Sequence, residues 1–309
     1  MSTEQVATTP EAARHPERLL TAERPPIRRP KIRWFVGSLN VYVKLLIVYL
    51  LVPVAIMIVY SFNKNPAAAT ATAPKVSFQW QGATLDWWRQ WNAVPDLTTA
   101  LWNSLIVAAI SSVIATIFGT LIALALVRYR FRGSGALEMV MFLNIAAPEI
   151  VLGASLLSFL VVLNVARGLL TILVAHVMFN IAFVAVTVRA RLAGFTRELE
   201  EAAQDLYADP WETFRRVTLP LIWPGILAGF LLAFALSIDD FVTTNFVAGQ
   251  TITFPLWVYG AVKVGIPPQV FVMGTSIFTV GVIVAIANIV SARRRSPRHK
   301  RPSGTLARA

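Results

Sequence analysis

The chain has 309 residues, 56% apolar and only 14% charged, with a mean hydropathy of +0.62. A soluble domain carries about 25% charged residues, so this composition excludes a soluble globular protein and predicts an integral membrane protein with several spans in one membrane domain. The net charge of +12 lies mostly in the two tails and the short loops, and there is no cysteine, which together exclude a basic nucleic-acid-binding face, disulfides and thiolate metal sites.

The first element is a basic tail, residues 1–40. Its first 33 residues are rich in Arg, Pro and Ala and nearly free of aromatics, a composition that predicts disorder. Runs of about 20 apolar residues mark membrane helices. Six follow, near residues 41–62, 100–127, 137–163, 169–188, 221–246 and 270–290. A cleaved signal peptide is the competing reading of the first run. The charged region ahead of it is too long for that, and the run is longer than a typical signal core. Between the first two spans, a loop over residues 63–99 carries Trp80, Trp87, Trp88 and Trp91. It reads as an interfacial aromatic belt on an amphipathic helix, with a docking surface for an external partner as the alternative. A second basic tail, 291–309, ends the chain.

Charge sets the expected orientation. Of the 28 Lys and Arg, all but Lys64, Lys75, Arg89, Arg167 and Lys263 fall in or beside the two tails and the loops 128–132 and 189–216. The positive-inside bias places both termini in the cytoplasm, as an even number of spans requires.

The loop between the fourth and fifth spans, within 191–220, is the most distinctive polar stretch. Leu199, Ala202, Ala203 and Leu206 recur at helical spacing and predict one apolar stripe, with Glu200, Glu201, Gln204 and Asp205 on the wet side. A second short helix then begins. Asp209 is a good N-cap, Pro210 suits the first helical position, and Glu212 stands three after the cap. Trp211, Phe214, Val217 and Thr218 are expected on one face, with Arg215 and Arg216 between Phe214 and Val217. Leu219-Pro220 is expected to end this helix, because the residue before proline avoids the α region. Two short helices joined by a bend form a plug suited to a groove on another protein. An amphipathic helix lying on the inner leaflet is the alternative, but that leaflet attracts basic segments, and these are acidic.

Glu201-Ala202-Ala203 followed by Leu219-Pro220 resembles the EAA loop of ABC importer permeases. Ala147-Pro148-Glu149-Ile150-Val151-Leu152-Gly153, Arg189-Ala190-Arg191-Leu192, Ser237-Ile238-Asp239-Asp240-Phe241, Phe254-Pro255-Leu256 and Val262 to Pro268 resemble the spermidine/putrescine branch, in its second permease subunit. The resemblance covers residues 40–290. It implies an all-α membrane domain of six helices, residues 41–290, that is not an enzyme and moves polyamines. It also implies a cytoplasmic ATPase dimer that binds the ATP, a second permease, and a periplasmic or extracellular binding protein. No phosphate-binding G-x-x-x-x-G-K-[ST] occurs in the chain itself, and no cofactor is expected. Glu201, Ala202, Ala203, Leu206, Tyr207, Asp209, Glu212, Phe214 and Arg215 would then form the ATPase-coupling loop. The family pattern has glycine at the bend; here it is Tyr207, strained by about 1 kcal/mol if the bend needs positive φ. Asn144 and Ala182 stand where prolines are expected.

Ionisable residues inside spans are costly and point to function. Glu149, Asp239 and Asp240 are the substrate-path candidates; Glu138 lies nearer the inner end of the third span. Pro148 is expected to free a carbonyl one turn earlier, which a cation could share with Glu149. Adjacent residues on a helix point about 100° apart, so at most one of Asp239 and Asp240 faces the path; the other would hold the partner permease or the coupling loop. Glu149 also has a plainer reading as a structural hydrogen bond to a neighbouring helix. His176, alone in its span, is read as a neutral packing residue. Paired-histidine spacings are absent, so no metal site is expected. Gly225-x-x-x-Gly229 marks a close helix contact. A permease for an opine, phosphonate, iron chelate or thiamine, an ion-driven secondary transporter and a membrane scaffold remain the alternatives.

Overall fold

A computed structural model of the chain describes residues 33–64 and 79–295. The tail residues 1–32 and 296–309 and the loop segment 65–78 lie outside the described residues, so the disorder expected for the N-terminal tail falls outside them as well. The chain divides into two compact units, Met1–Ala55 and Ile56–Ala309. In the first, the described residues are the body of one apolar helix, α1 (Arg33–Tyr60). That helix starts before the expected boundary at 41.

In the second unit every regular element among the described residues is helical. In order these are α2 (Asp86–Arg89), α3 (Pro95–Arg128), α4 (Ser134–Ala146), α5 (Glu149–Val162), α6 (Leu169–Leu192), α7 (Glu198–Asp205), α8 (Pro210–Thr213), a π-helical turn (Phe214–Thr218), α9 (Leu219–Asp239), α10 (Val242–Val247), α11 (Phe254–Val264) and α12 (Gln269–Arg295). Among the described residues of both units, five helices, α1 included, are long and apolar enough to cross a membrane, and six spans result when α4 and α5 count as one. The sixth span runs to Arg295 rather than 290.

The bundle centre is α3 against α6 and α9. Hydrophobic burial gives no preference for helix contact inside a membrane, so close approach depends on small side chains. On α3, Ser104, Ala108, Ser111, Ala115, Gly119 and Ala123 are all buried. A Cβ on Gly119 would stand 2.8 Å from Val184 Cβ. On α9, Gly225 lies against the Arg191 side chain and Gly229 against Val184, so the Gly225-x-x-x-Gly229 contact is with α6. Polar groups bind the same three helices. Asn180 Nδ2 donates to Ser237 Oγ at 2.7 Å, and Ser237 Oγ lies 3.0 Å from Ser111 Oγ.

Two expected spans are broken. The third is not one helix over 137–163: α4 and α5 meet at 108°. Ala147 has ψ 138 and Pro148 ψ 130, the extended backbone that a residue before proline adopts. Pro148 therefore ends one helix and starts another, rather than kinking a continuous one. Asn144, in place of an expected proline, donates its Nδ2 to Met178 O at 3.0 Å. The fifth span ends at Asp239 instead of 246. The Asp240 carboxylate accepts the backbone N–H of Thr244 at 2.8 Å and starts α10. The fourth span, with buried Ala182, runs unbroken through α6.

The expected amphipathic helix of the outer loop is reduced to the short α2. Trp87 is buried there with Nε1 donating to Asn63 O at 2.9 Å. Trp88 stacks on Phe62 with centroids 5.4 Å apart, while Trp80 and Trp91 are exposed.

Candidate functional site

The two broken spans face each other across a cavity of about 330 Å³. Glu149, Asp239 and Asp240 all line it, beside Asn144, Phe179 and Phe241. Glu149 is the first residue of α5, where its charge suits the helix N-terminus. Asp239 is the last residue of α9. Both are exposed to the cavity, and neither pairs with a basic side chain among the described residues. The charged neighbours of Asp239 are Asp240 and Glu149. Like charges so placed repel, most strongly where water is scarce, and an entering cation relieves that repulsion.

Asp240 is different. Its carboxylate is almost buried, accepts from Thr244 Oγ1 at 2.6 Å and from the Thr244 N–H, and lies 3.3 Å from His176 Nε2. His176 is 1% exposed and also 2.9 Å from Thr244 Oγ1, the packed histidine expected from sequence. The expectation that at most one of the two aspartates faces the path is corrected: Asp239 is exposed and Asp240 sheltered, yet both line the cavity, because Asp240 lies past the end of α9 in extended backbone, where helical spacing does not apply; its carboxylate holds α10 and His176. Glu138, the remaining acid of the third span, pairs with Arg189 Nη2 at 2.8 Å.

The second site is the loop from α7 to α9. Ala208 N donates to Ala203 O at 3.2 Å and Tyr207 N to Gln204 O at 2.9 Å, the paired bonds of a Schellman turn. Tyr207 stands at the left-handed position of that turn with φ 63, where glycine is usual, so the bend keeps its geometry with a strained residue. Asp209 caps α8, its Oδ1 accepting from Glu212 N at 2.8 Å, and Pro210 takes the first helical position. The Glu212 side chain pairs with Arg216 at 3.2 Å instead of returning to the cap.

Leu206, Tyr207 and Trp211 are 82%, 98% and 68% exposed. Glu201, Ala202 and Arg215 are exposed beside them. Phe214 stacks on Trp211 at 5.7 Å but is half-buried, and Ala203 is half-buried too. Two expectations are corrected here. Glu200 is not on the wet side: its Oε1 accepts from Arg128 Nη2 at 2.7 Å and from Thr218 Oγ1 at 2.8 Å. Leu219-Pro220 does not end the second helix, which continues into the fifth span. The π turn makes room for Pro220, with Leu219 N donating to Phe214 O; the wider turn leaves space where a proline ring would otherwise strike the preceding turn. Sequence reading missed the Glu200 tie and the whole of α11, whose Phe254-Pro255 start carries proline at the first turn.

Comparison with known proteins fits this geometry. Residues 115–296 match the family described as binding-protein-dependent transport system inner membrane component. The chain is 36% identical over 249 residues to the spermidine/putrescine transport system permease protein PotC of Escherichia coli strain K12, covering 80% of this chain and 91% of that protein. It is 37% identical over 259 residues to the putrescine transport system permease protein PotI of the same strain, covering 81% and 89%. In fold it is similar to a chain of a bacterial ABC transporter involved in the import of the acidic polysaccharide alginate, with TM-score 0.59, 16% identity, and coverage of 86% of this chain and 99% of that one. The chain therefore belongs to the family of inner-membrane permease components of binding-protein-dependent ABC transport systems.

Proposed function

We propose that this multi-pass permease carries polyamines, linear cations of the putrescine and spermidine kind, across a bacterial inner membrane. The observation that carries this reading is the placement of Glu149 and Asp239 on one cavity with no basic partner among the described residues. An anion would be repelled there, and a neutral solute would leave the carboxylates uncompensated. The names of the relatives PotC and PotI support the same substrate class.

In this reading both termini are cytoplasmic, and the chain pairs with a second permease to enclose the path. A separate ATPase dimer grips the exposed Leu206, Tyr207 and Trp211 and the neighbouring Glu201. A binding protein outside delivers substrate. Closure of the ATPase on ATP pushes α7, and the Glu200 carboxylate passes that push to the ends of α3 and α9 together. The cavity then changes the side from which it is open, by rigid-body tilting. Moving such an equilibrium from almost all one state to almost all the other takes about 5.5 kcal/mol of differential binding, which nucleotide on the partner can supply.

The test is competition in cells that depend on this permease. Unlabelled putrescine or spermidine at excess should block uptake of labelled putrescine, and an opine or a phosphonate should not. Block by one of those solutes but not by a polyamine would assign the cavity to a different cargo.

A further inference from the structure

The acid-lined cavity has an aromatic extension. Phe241 forms part of its wall and lies against Tyr259 of α11, ring centroids 4.6 Å apart. One helical turn on, the ammonium of Lys263 sits 4.4 Å from the Tyr259 centroid. Tyr259 is 51% exposed, and Lys263 is exposed as well. Lys263 enters no ion pair with a carboxylate among the described residues. A primary ammonium at such a site ordinarily turns to water or to an acid; this one rests on a ring face, whose negative centre attracts cations.

We infer that Phe241 and Tyr259 form a second cation subsite continuous with the Glu149–Asp239 cavity, and that Lys263 is a resident ammonium which a substrate ammonium displaces. The inference rests on the cavity being a cation path. A lysine side chain ends as an alkyl primary amine, so the surface that takes Lys263 is matched to an alkylammonium of the same kind. The ligand class is a linear di- or polyamine: one ammonium between Glu149 and Asp239, the methylenes on Phe241, the next ammonium on the Tyr259 face. A metal ion would gain little from that apolar wall, preferring oxygen ligands on every side. Lys263 also sets selectivity, because a monoamine held only by the acids leaves the ring to the lysine, whereas a diamine must replace it.

The experiment is equilibrium dialysis of labelled putrescine against the purified complex of both permeases and the ATPase, without binding protein. Basal ATPase activity and complex size report folding. Tyr259→Leu should weaken binding about three- to ten-fold, as expected for loss of a partly desolvated ring–cation contact, and Tyr259→Phe should restore it. Lys263→Gln should tighten binding of putrescine, and more weakly that of butylamine, by removing the competitor. That gain should vanish when Tyr259→Leu is added. Unchanged or weaker binding in Lys263→Gln, or equal loss in Tyr259→Leu and Tyr259→Phe, overturns the subsite. Asp239→Asn run alongside separates the two readings. Weaker binding in Asp239→Asn with normal binding in the Tyr259 and Lys263 variants leaves the cavity standing and removes only its extension. No binding to the unaltered complex, or no effect of Asp239→Asn, removes the cavity as a cation path and the subsite with it.

Discussion

Arg128 at the end of α3 and Glu200 on α7 meet at 2.7 Å, with both side chains largely sheltered at 13% and 19% exposure. The same Glu200 oxygen accepts from Thr218, just before α9. One carboxylate thus ties α7 to the end of α3 and to the turn that leads into α9, two of the three helices at the bundle centre. Glu200→Gln keeps the shape but weakens the tie by about 1.5–3 kcal/mol, the range for a hydrogen bond to a charged group. The expected outcome is continued ATP hydrolysis with uptake lowered ten-fold or more. Assay of phosphate release and putrescine uptake on the same vesicles checks it; uptake falling only in step with hydrolysis would show that Glu200 serves stability alone.

Tyr207 holds positive φ at full exposure. Tyr207→Gly should relieve about 1 kcal/mol of backbone strain and raise the melting temperature of the isolated permease, while weakening its hold on the ATPase. Calorimetry and co-purification read the two effects separately. A variant that gains stability and keeps full ATPase affinity would mean that the ring is a bystander.

Asp239 and Asp240 should respond in opposite ways. Asp239→Asn is expected to leave thermal stability unchanged and to reduce uptake of a dication more than that of a neutral solute. Asp240→Ala removes the acceptor for Thr244 Oγ1, the Thr244 N–H and His176. It should cost about 2 kcal/mol or more, since buried donors are left unpaired. Thermal unfolding of the two purified variants is the check, and equal destabilisation would erase the distinction drawn between them.

Gly119 and Val184 leave no room for a side chain between α3 and α6. Gly119→Val should destabilise the bundle by about 1–3 kcal/mol through overpacking and reduce the amount of permease in the membrane. Quantitative immunoblotting of membranes, with Gly135→Val as the control in open space, measures this.

Much of the bundle was legible because membrane helices announce themselves by length and apolarity. The Asp209 cap was legible from residue type and spacing, and the acids Glu149 and Asp239 from their position within apolar runs. The breaks were harder. Pro148 signalled a disturbance, but a kink and a 108° break share that residue, and only packing across the gap decides between them. Asp240 followed by Thr243 and Thr244 is a helix-start pattern hidden inside an apolar run. Glu200 was misplaced because its partners Arg128 and Thr218 stand outside α7 in sequence, and helical spacing within α7 carries no sign of them. Lys263 over Tyr259 is a spacing of four residues, visible on the page but silent about Phe241 until the chain is folded.

The most direct test of the account is reconstitution. The permease is placed in proteoliposomes with its partner permease, ATPase and binding protein, and labelled putrescine uptake is measured with and without ATP. The account predicts uptake that requires ATP, is missing when the chain is reconstituted alone, and is lost in Glu201→Lys although that chain stays in the membrane. Uptake by this chain alone, indifferent to ATP and collapsed by an uncoupler, would contradict it.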